Sequence, residues 1–245
     1  MKKLCYLFTV LLAVTFAACD NGGPEGPANP NQPSNPSKPE NTANGHEYVD
    51  LGLSVKWATC NVGANTPEEY GDYFAWGETQ AKEVYADGNY KWYKFDNNGN
   101  YTKTKYNNNS DEGIVDNKTV LDLEDDAAHV NWGGAWRMPT MEEQQELVDN
   151  CTFTWTIQNG VNGCIVTSKK NGNSIFLPAA SMFSESFWDS YDAEFGKYWS
   201  STLYYDYNNG ISLTFWYYEH SNPYIDGYDH TNYVFYGHSI RPVLP

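Results

Sequence analysis

The stretch Trp132-Gly133-Gly134-Ala135-Trp136-Arg137-Met138-Pro139-Thr140-Met141-Glu142-Glu143 decides the fold class, because it stands between two helical signals. Upstream, Asp122-Leu123-Glu124-Asp125-Asp126-Ala127-Ala128-His129-Val130-Asn131 carries its acidic residues early, as a helix N-terminus prefers, and Gly133-Gly134 stops it. Downstream, Thr140 and Glu143 have the spacing of a capping box, in which each side chain satisfies the other residue's backbone N–H. Leu147, Val148 and Cys151 give this second helix an apolar face. Beyond it the pattern is all strand. Phe153–Ile157 and Cys164–Ser168 flank Asn159-Gly160-Val161-Asn162-Gly163, and Asn171-Gly172-Asn173 carries a hairpin signal into Ser174–Pro178. Tyr198–Ser201, Ile211–Tyr218 and Tyr233–Val243 complete a β-rich half. Two helices, many short strands and long loops predict an α+β domain.

Towards the N-terminus, Tyr48–Ala58 alternates around Gly52 and reads as a short hairpin. Tyr70–Trp76 continues the aromatic and glycine signals, and Lys82–Ser110 reads as a long loop with irregular strands. Asn21–Gly45 is dominated by Pro, Asn, Gly and Ser and cannot bury enough surface to offset chain entropy. Before it, Lys2 and Lys3 precede the apolar run Leu4–Phe16, which has signal-peptide length and ends in Ala17-Ala18-Cys19. Small residues before a cysteine resemble the lipobox of bacterial lipoproteins. The expected layout is a signal peptide over 1–18, a lipidated Cys19 with a disordered tether over 19–45, and one domain over 46–245.

The formal charge is −16, and removing Lys2 and Lys3 with the signal takes it to −18. Such an acidic chain excludes nucleic acid as a partner and leaves the membrane to the lipid anchor alone. Outside the signal and anchor, Cys60, Cys151 and Cys164 remain. One disulfide with a free thiol, and three buried thiols, both fit that number.

Five motifs in order carry a family resemblance: Tyr48–Ala58, Trp132–Thr140, Phe176-Leu177-Pro178-Ala179-Ala180, Tyr198-Trp199-Ser200-Ser201 and Gly237-His238-Ser239-Ile240-Arg241-Pro242-Val243. Together they resemble the Fibrobacter succinogenes major paralogous domain, a family common in lipoproteins of gut Bacteroidetes. The resemblance spans Glu47 to Val243. It implies a C-type-lectin-like fold, two helices packed on a twisted, mostly antiparallel sheet with long loops, shared distantly with formylglycine-generating enzymes. It also implies an outer-membrane lipoprotein facing outward, and structural roles for Trp136, Arg137, Trp199 and Arg241, with a carboxylate or carbonyl partner for Arg137.

Catalytic constellations are missing from the sequence. The copper-binding cysteines of formylglycine-generating enzymes lie late in the domain, and this chain has no cysteine after Cys164. It has no Gly-x-Ser-x-Gly, phosphate loop or His-Glu-x-x-His. His46, His129, His220, His230 and His238 share no metal-ligand spacing. Two acidic stretches offer oxygen ligands suited to calcium: Asp122, Glu124, Asp125 and Asp126, which equally charge an exposed helix face, and Asp96–Asn100, where Tyr101 breaks the EF-hand pattern. No cofactor is expected, calcium being the one candidate.

The C-terminal stretch offers a binding surface instead. Between Ser181 and Ile240 lie eleven of the twenty tyrosines, interleaved with Asn, Asp, His, Ser and Gly. A core does not want this many phenols, since each buried hydroxyl needs a partner. Tyr with Ser, Gly and Asn is the composition of antibody paratopes, and it also suits sugars. The candidate contacts are Tyr204, Tyr205, Tyr207, Asn208, Tyr217, Tyr218, His220, Asn222, Tyr224, Asp226, Tyr228, His230 and Asn232. The expected function is non-catalytic recognition of a glycan or protein ligand at the cell surface. The competing readings are an envelope structural or assembly component and a glycan-acting enzyme. Adenine mutagenesis by a diversity-generating retroelement turns Asn codons into this residue set, so part of the stretch reads either as hypervariable, with Trp199, Phe215, Gly237, Arg241 and Pro242 as fixed scaffold, or as the fixed, Tyr-rich loop region of an ordinary paralogue.

Overall fold

The structure, a computed structural model, describes residues 41–184, 194–204, 206–217, 223–227 and 232–245. Strand β1 (Thr42–Ala43) turns through Asn44 and Gly45, both at positive φ (47° and 87°), into β2 (His46–Val49). That turn is built from the residues that tolerate left-handed backbone. β2 pairs with β3 (Lys56–Ala58) in the hairpin expected around Gly52. Because Thr42 pairs with Glu47, the ordered fold reaches back into the stretch read as tether. Asn44 donates to the Trp132 carbonyl, and the Trp136 indole donates to Ala43 O at 2.9 Å, so the Trp-Gly-Gly-Ala-Trp motif holds this first strand.

The segment expected to be an irregular loop contains a hairpin, β4 (Tyr93–Phe95) with β5 (Tyr101–Lys103). Its turn is closed by Asp96, whose Oδ1 accepts from the backbone N–H of Asn98 at 2.8 Å and of Asn100 at 2.9 Å. The carboxylate considered for calcium therefore serves its own turn.

The first helix starts later than the sequence suggests. Leu123–Asp125 form a single 3-10 turn, and α1 spans Ala127–Trp132. Asp126 is the reason: its side chain caps the helix by accepting from His129 N at 3.0 Å and also takes Met138 N at 2.8 Å. Asp125 and Asp126 are each 2 % exposed, which corrects the expectation that both charge a solvent-facing surface. Gly133, at φ 67°, ends the helix as expected. Helix α2 (Met141–Asn150) opens on the expected capping box: Glu143 N donates to Thr140 Oγ1 at 3.3 Å, and Thr140 N donates to Glu143 Oε2 at 2.9 Å. The same carboxylate receives both guanidinium arms of Arg137, at 2.7 and 2.6 Å, which is the partner the resemblance implied.

β6 (Cys151–Gln158), β7 (Val161–Ser168) and β8 (Ser174–Pro178) form an antiparallel meander. The β6–β7 link is a two-residue turn, shorter than the five-residue connection read from sequence. Asn159 (φ 48°) and Gly160 (φ 85°) make it, and Val161 already pairs with Gln158. A second sheet runs β11 (Tyr224–Asp226), β10 (Gly210–Trp216) and β9 (Phe195–Leu203). The expected strand over Tyr233–Val243 is mostly absent. That segment bridges Asn209, Phe183, Phe74 and Tyr198 in turn, and only β12 (Val243–Leu244) joins a ladder, with β3. Switching partners prevents a continuous ladder, and Pro242 has no N–H to give one. Among the described residues the result is two α-helices with several small antiparallel sheets, an α+β fold.

Two main cores hold it. One is aromatic, centred on Trp76, Trp136, Trp199, Tyr85 and Tyr90. The other is largely aliphatic and sits where α2 meets β6, β9 and β10, with Leu147, Val166, Leu177, Leu213 and Val243. The aromatic core takes up Tyr85, Tyr90 and Tyr106, from outside the tyrosine-rich C-terminal stretch, and the second core takes Tyr198 from within it. Their buried hydroxyls find acceptors: Tyr90 OH on Trp76 O at 2.8 Å, Tyr198 OH on Pro178 O at 2.6 Å and Tyr106 OH on Asp125 at 2.8 Å. Cys60, Cys151 and Cys164 are free thiols, the last two buried. Burial pushes Cys164 up to about 12, so it behaves as a small apolar residue.

Candidate functional site

The hairpin β4–β5 alternates so that Tyr93, Phe95, Tyr101 and Lys103 share one face while Lys94 and Thr102 share the other. Tyr93 and Tyr101 stack with centroids 4.3 Å apart. Opposite them, Tyr233 and Phe235 stack at 5.2 Å, and Phe235 meets Tyr93 edge-on at 6.4 Å. Between the pairs lies a cleft of about 490 Å³ lined by Asp87, Tyr93, Tyr101, Asp206, Asn208, Asn209, Tyr233 and Phe235. Rings with a few convergent polar groups are the usual make-up of a ligand site.

One wall is an Asx turn. Asp206 Oδ1 accepts from Asn208 N at 2.9 Å and Asn209 N at 3.2 Å, and Oδ2 accepts from Asn209 Nδ2 at 2.9 Å. Within it Tyr207 takes φ 59°, a left-handed backbone that is costly for an aromatic residue. Lys103, 1 % exposed, reaches from β5 to hold that peptide: its Nζ donates to Tyr207 O at 3.1 Å and pairs with Glu112 at 2.7 Å. The cleft has a negative field. Burial raises the Tyr93 phenol well above its ordinary value, and Tyr101, Glu112, Asp87 and Asp206 push it further.

The structure separates the candidate contacts. Asn208 lines the cleft. Tyr217, 52 % exposed, packs its ring 5.3 Å from Trp155, away from the cleft lining. Tyr224, on β11, accepts from the Trp216 indole at 3.0 Å. Asp226 lies 3.5 Å from the buried Lys197 ammonium, and Tyr204 is partly buried. Two candidates are withdrawn from the surface. Tyr207 is 8 % exposed, and Asn232 is fully buried, its Oδ1 accepting from Ser212 Oγ at 2.8 Å. Tyr205, Tyr218, His220, Asn222, Tyr228 and His230 lie outside the described residues. The expected scaffold positions Trp199, Phe215, Gly237, Arg241 and Pro242 are all buried. Arg241 donates to Asn61 Oδ1 at 2.8 Å and to the carbonyls of Ala58 and Thr59, a structural role.

Sequence reading missed Asp87, Tyr93, Tyr101, Asp206, Asn209, Tyr233 and Phe235. The available signal was the alternation Tyr93-Lys94-Phe95 and Tyr101-Thr102-Lys103 on either side of an Asn/Gly turn.

The acidic cluster considered for calcium brings oxygens of Asp122, Glu124 and Asp125 within 4.8 Å of one another. Lysines occupy them. Lys105 contacts all three at 2.5–3.3 Å, Lys118 reaches Asp122 at 2.5 Å and Lys91 reaches Asp125 at 2.9 Å. Burial alone would raise the Asp125 carboxyl, but hydrogen bonds from Lys105, Lys91 and Tyr106 bring it below the ordinary range. A second hollow, about 200 Å³ between Val49, Thr59, Gln158 and Phe176, has no charged lining group.

No family model, curated protein or solved structure matches the chain. The family resemblance rests on its five motifs and their order.

Proposed function

We propose that this chain is a lipid-anchored, non-catalytic binding protein with a C-type-lectin-like domain, and that it holds a glycan in the cleft between β4–β5 and the Asp206–Asn209 turn. The observation that supports this is the cleft itself: four aromatic rings for the C–H faces of sugars, with carboxylate and amide groups for their hydroxyls. The motif residues Trp57, Trp136, Leu177, Trp199 and Arg241 are all at most 1 % exposed. The family resemblance supports an outer-membrane location for the lipoprotein anchored at Cys19, with the domain facing outward. Protease treatment of intact cells tests that orientation, and full protection of the domain contradicts it.

The function is tested on a glycan array probed with the mature chain, beside a Tyr101→Ala, Tyr233→Ala variant. Saturable binding lost in the variant supports the reading. Binding that survives in the variant moves the site elsewhere, towards the Tyr217–Trp155 surface. Silence on glycans with a hit on a protein array replaces the ligand class, and silence on both favours an envelope structural role. Retroelement diversification is read from the locus: a neighbouring reverse transcriptase and a near-copy of the C-terminal coding segment, differing only at adenines, must be present.

A further inference from the structure

The charged groups lining the cleft are of one sign. Asp87 and Asp206 are carboxylates, and neither has an ion-pair partner among the described residues. Asn209 is 6 % exposed, and its Nδ2 is committed to Asp206. Its Oδ1 accepts no hydrogen bond. A buried amide oxygen without a donor is costly. The Asn208 amide is already engaged, donating to Asp206 O at 3.3 Å. The charged groups of the cleft are therefore acceptors only, beside the hydroxyls of Tyr93, Tyr101 and Tyr233.

Among the described residues, no lysine or arginine lines the cleft. Between Lys197 and Arg241 the sequence contains no lysine or arginine. Both of those residues are 1 % exposed. On the hairpin side, Lys103 is buried against Glu112 and the Tyr207 carbonyl, and Lys94 lies on the opposite face of β4. An acidic ligand would thus bring a charge into a site whose lining, among the described residues, holds no lysine or arginine to pair it. An ammonium group is a donor only. It would meet two carboxylates and four rings, the combination that recognises organic cations through charge and cation–π attraction.

We infer that, within the glycan reading, this cleft selects a glycan bearing free amino groups, an amino sugar, over neutral and acidic glycans. Asp87 and Asp206 take the ammonium, and the rings pack against the sugar faces.

The test is calorimetry on the mature chain in detergent micelles at pH 5.5, with three oligosaccharides of equal length. They are a β-1,4-glucosamine oligomer, its fully N-acetylated form and an oligogalacturonate. The glucosamine oligomer should bind about tenfold more tightly than the N-acetylated one, the scale of one charge-assisted contact. Asp87 is exposed and its side chain holds no turn, so Asp87→Asn should keep the fold, checked by circular dichroism, and close most of the gap. Molar salt should close it too. Equal or tighter binding of the N-acetylated form, or tightest binding of the galacturonate, overturns the inference and leaves the glycan reading standing. A gap that Asp87→Asn and salt leave intact overturns it as well. Silence from all three overturns the glycan reading of the cleft.

Discussion

The ammonium of Lys103 donates to the carbonyl oxygen of Tyr207 at 3.1 Å, across 104 residues of sequence. This bond ties the β5 strand to the turn that forms the opposite wall of the cleft. It also holds a peptide whose φ of 59° an aromatic residue rarely adopts. Lys103→Met keeps the apolar stem and removes the donor. The buried Tyr207 carbonyl loses its partner, while Glu112 is exposed enough to find water. Urea denaturation should show a loss of about 1–2 kcal/mol, below the value for a fully buried pair because Glu112 is partly solvated. Glycan binding should weaken more than stability does, since the Asp206–Asn209 turn is released. Unchanged binding would show that the turn keeps its shape without Lys103.

Glu143 serves two partners with one carboxylate, the Thr140 N–H and the Arg137 guanidinium. Glu143→Ala removes both, and Arg137 loses its ion-pair partner. The expected destabilisation is about 2 kcal/mol, roughly half of it from the cap. Glu143→Gln retains the cap and one hydrogen bond, so it should cost about half as much. Equal losses in the two variants, measured by denaturant midpoint at constant slope, would assign the whole effect to charge.

Gly163 lies in the middle of β7, where an added Cβ would sit 2.4 Å from Leu177 O and 2.9 Å from Pro178 Cα. Those atoms are backbone of the neighbouring strand and have little room to move. Gly163→Ala should therefore separate β7 from β8 and cost about 1–3 kcal/mol. Gly160→Ala meets no neighbour within 4 Å, but it occupies φ 85° and should cost about 1 kcal/mol through backbone strain alone. Comparing their melting temperatures separates crowding from dihedral strain. A Gly163→Ala protein as stable as the parent contradicts the close strand approach.

Stability should fall on acidification. Lys103 holds the Glu112 carboxyl below its ordinary value, and Lys105 and Lys118 do the same for Asp122. A carboxylate depressed in the folded state stabilises above its unfolded pKa, and that contribution is lost as pH falls through the folded value, so the loss begins below about pH 4. His46 acts with the same sign at higher pH. Burial against Trp132, with ring centroids 3.7 Å apart, lowers its pKa, so its contribution drops as pH falls below the ordinary histidine range. Asp126 opposes them, because burial raises its carboxyl. Thermal melts from pH 7 to pH 3 should show a small first loss that His46→Gln removes, then a larger one. A flat profile down to pH 3 contradicts the lysine network.

Cys19→Ser should leave the protein unlipidated, shifting it from the detergent phase to the aqueous phase in phase partitioning. Retention in the detergent phase would reject the anchor.

Local rules written over a few residues were legible in the sequence. The capping box of Thr140 and Glu143, the Gly133 stop and the Tyr48–Ala58 hairpin depend on near neighbours, and the structure has them where the spacing put them. The Arg137–Glu143 pair was within reach because both residues flank one helix start. The excess of Tyr, Asn and Asp was also visible. Which of those residues line the cleft was decided by tertiary structure. Tyr207 and Asn232 have the same chemistry as their neighbours, yet cross-chain partners such as Lys103 and Ser212 draw them inside. The cleft joins Asp87, from a 3-10 turn over Asp87–Asn89, and Tyr93 and Tyr101, from the hairpin after it, to Asp206 and Tyr233 in the other half of the chain. No periodicity encodes that meeting. It arises because the Tyr233–Val243 segment bridges several partners in turn, which depends on how the two cores pack and not on any local pattern.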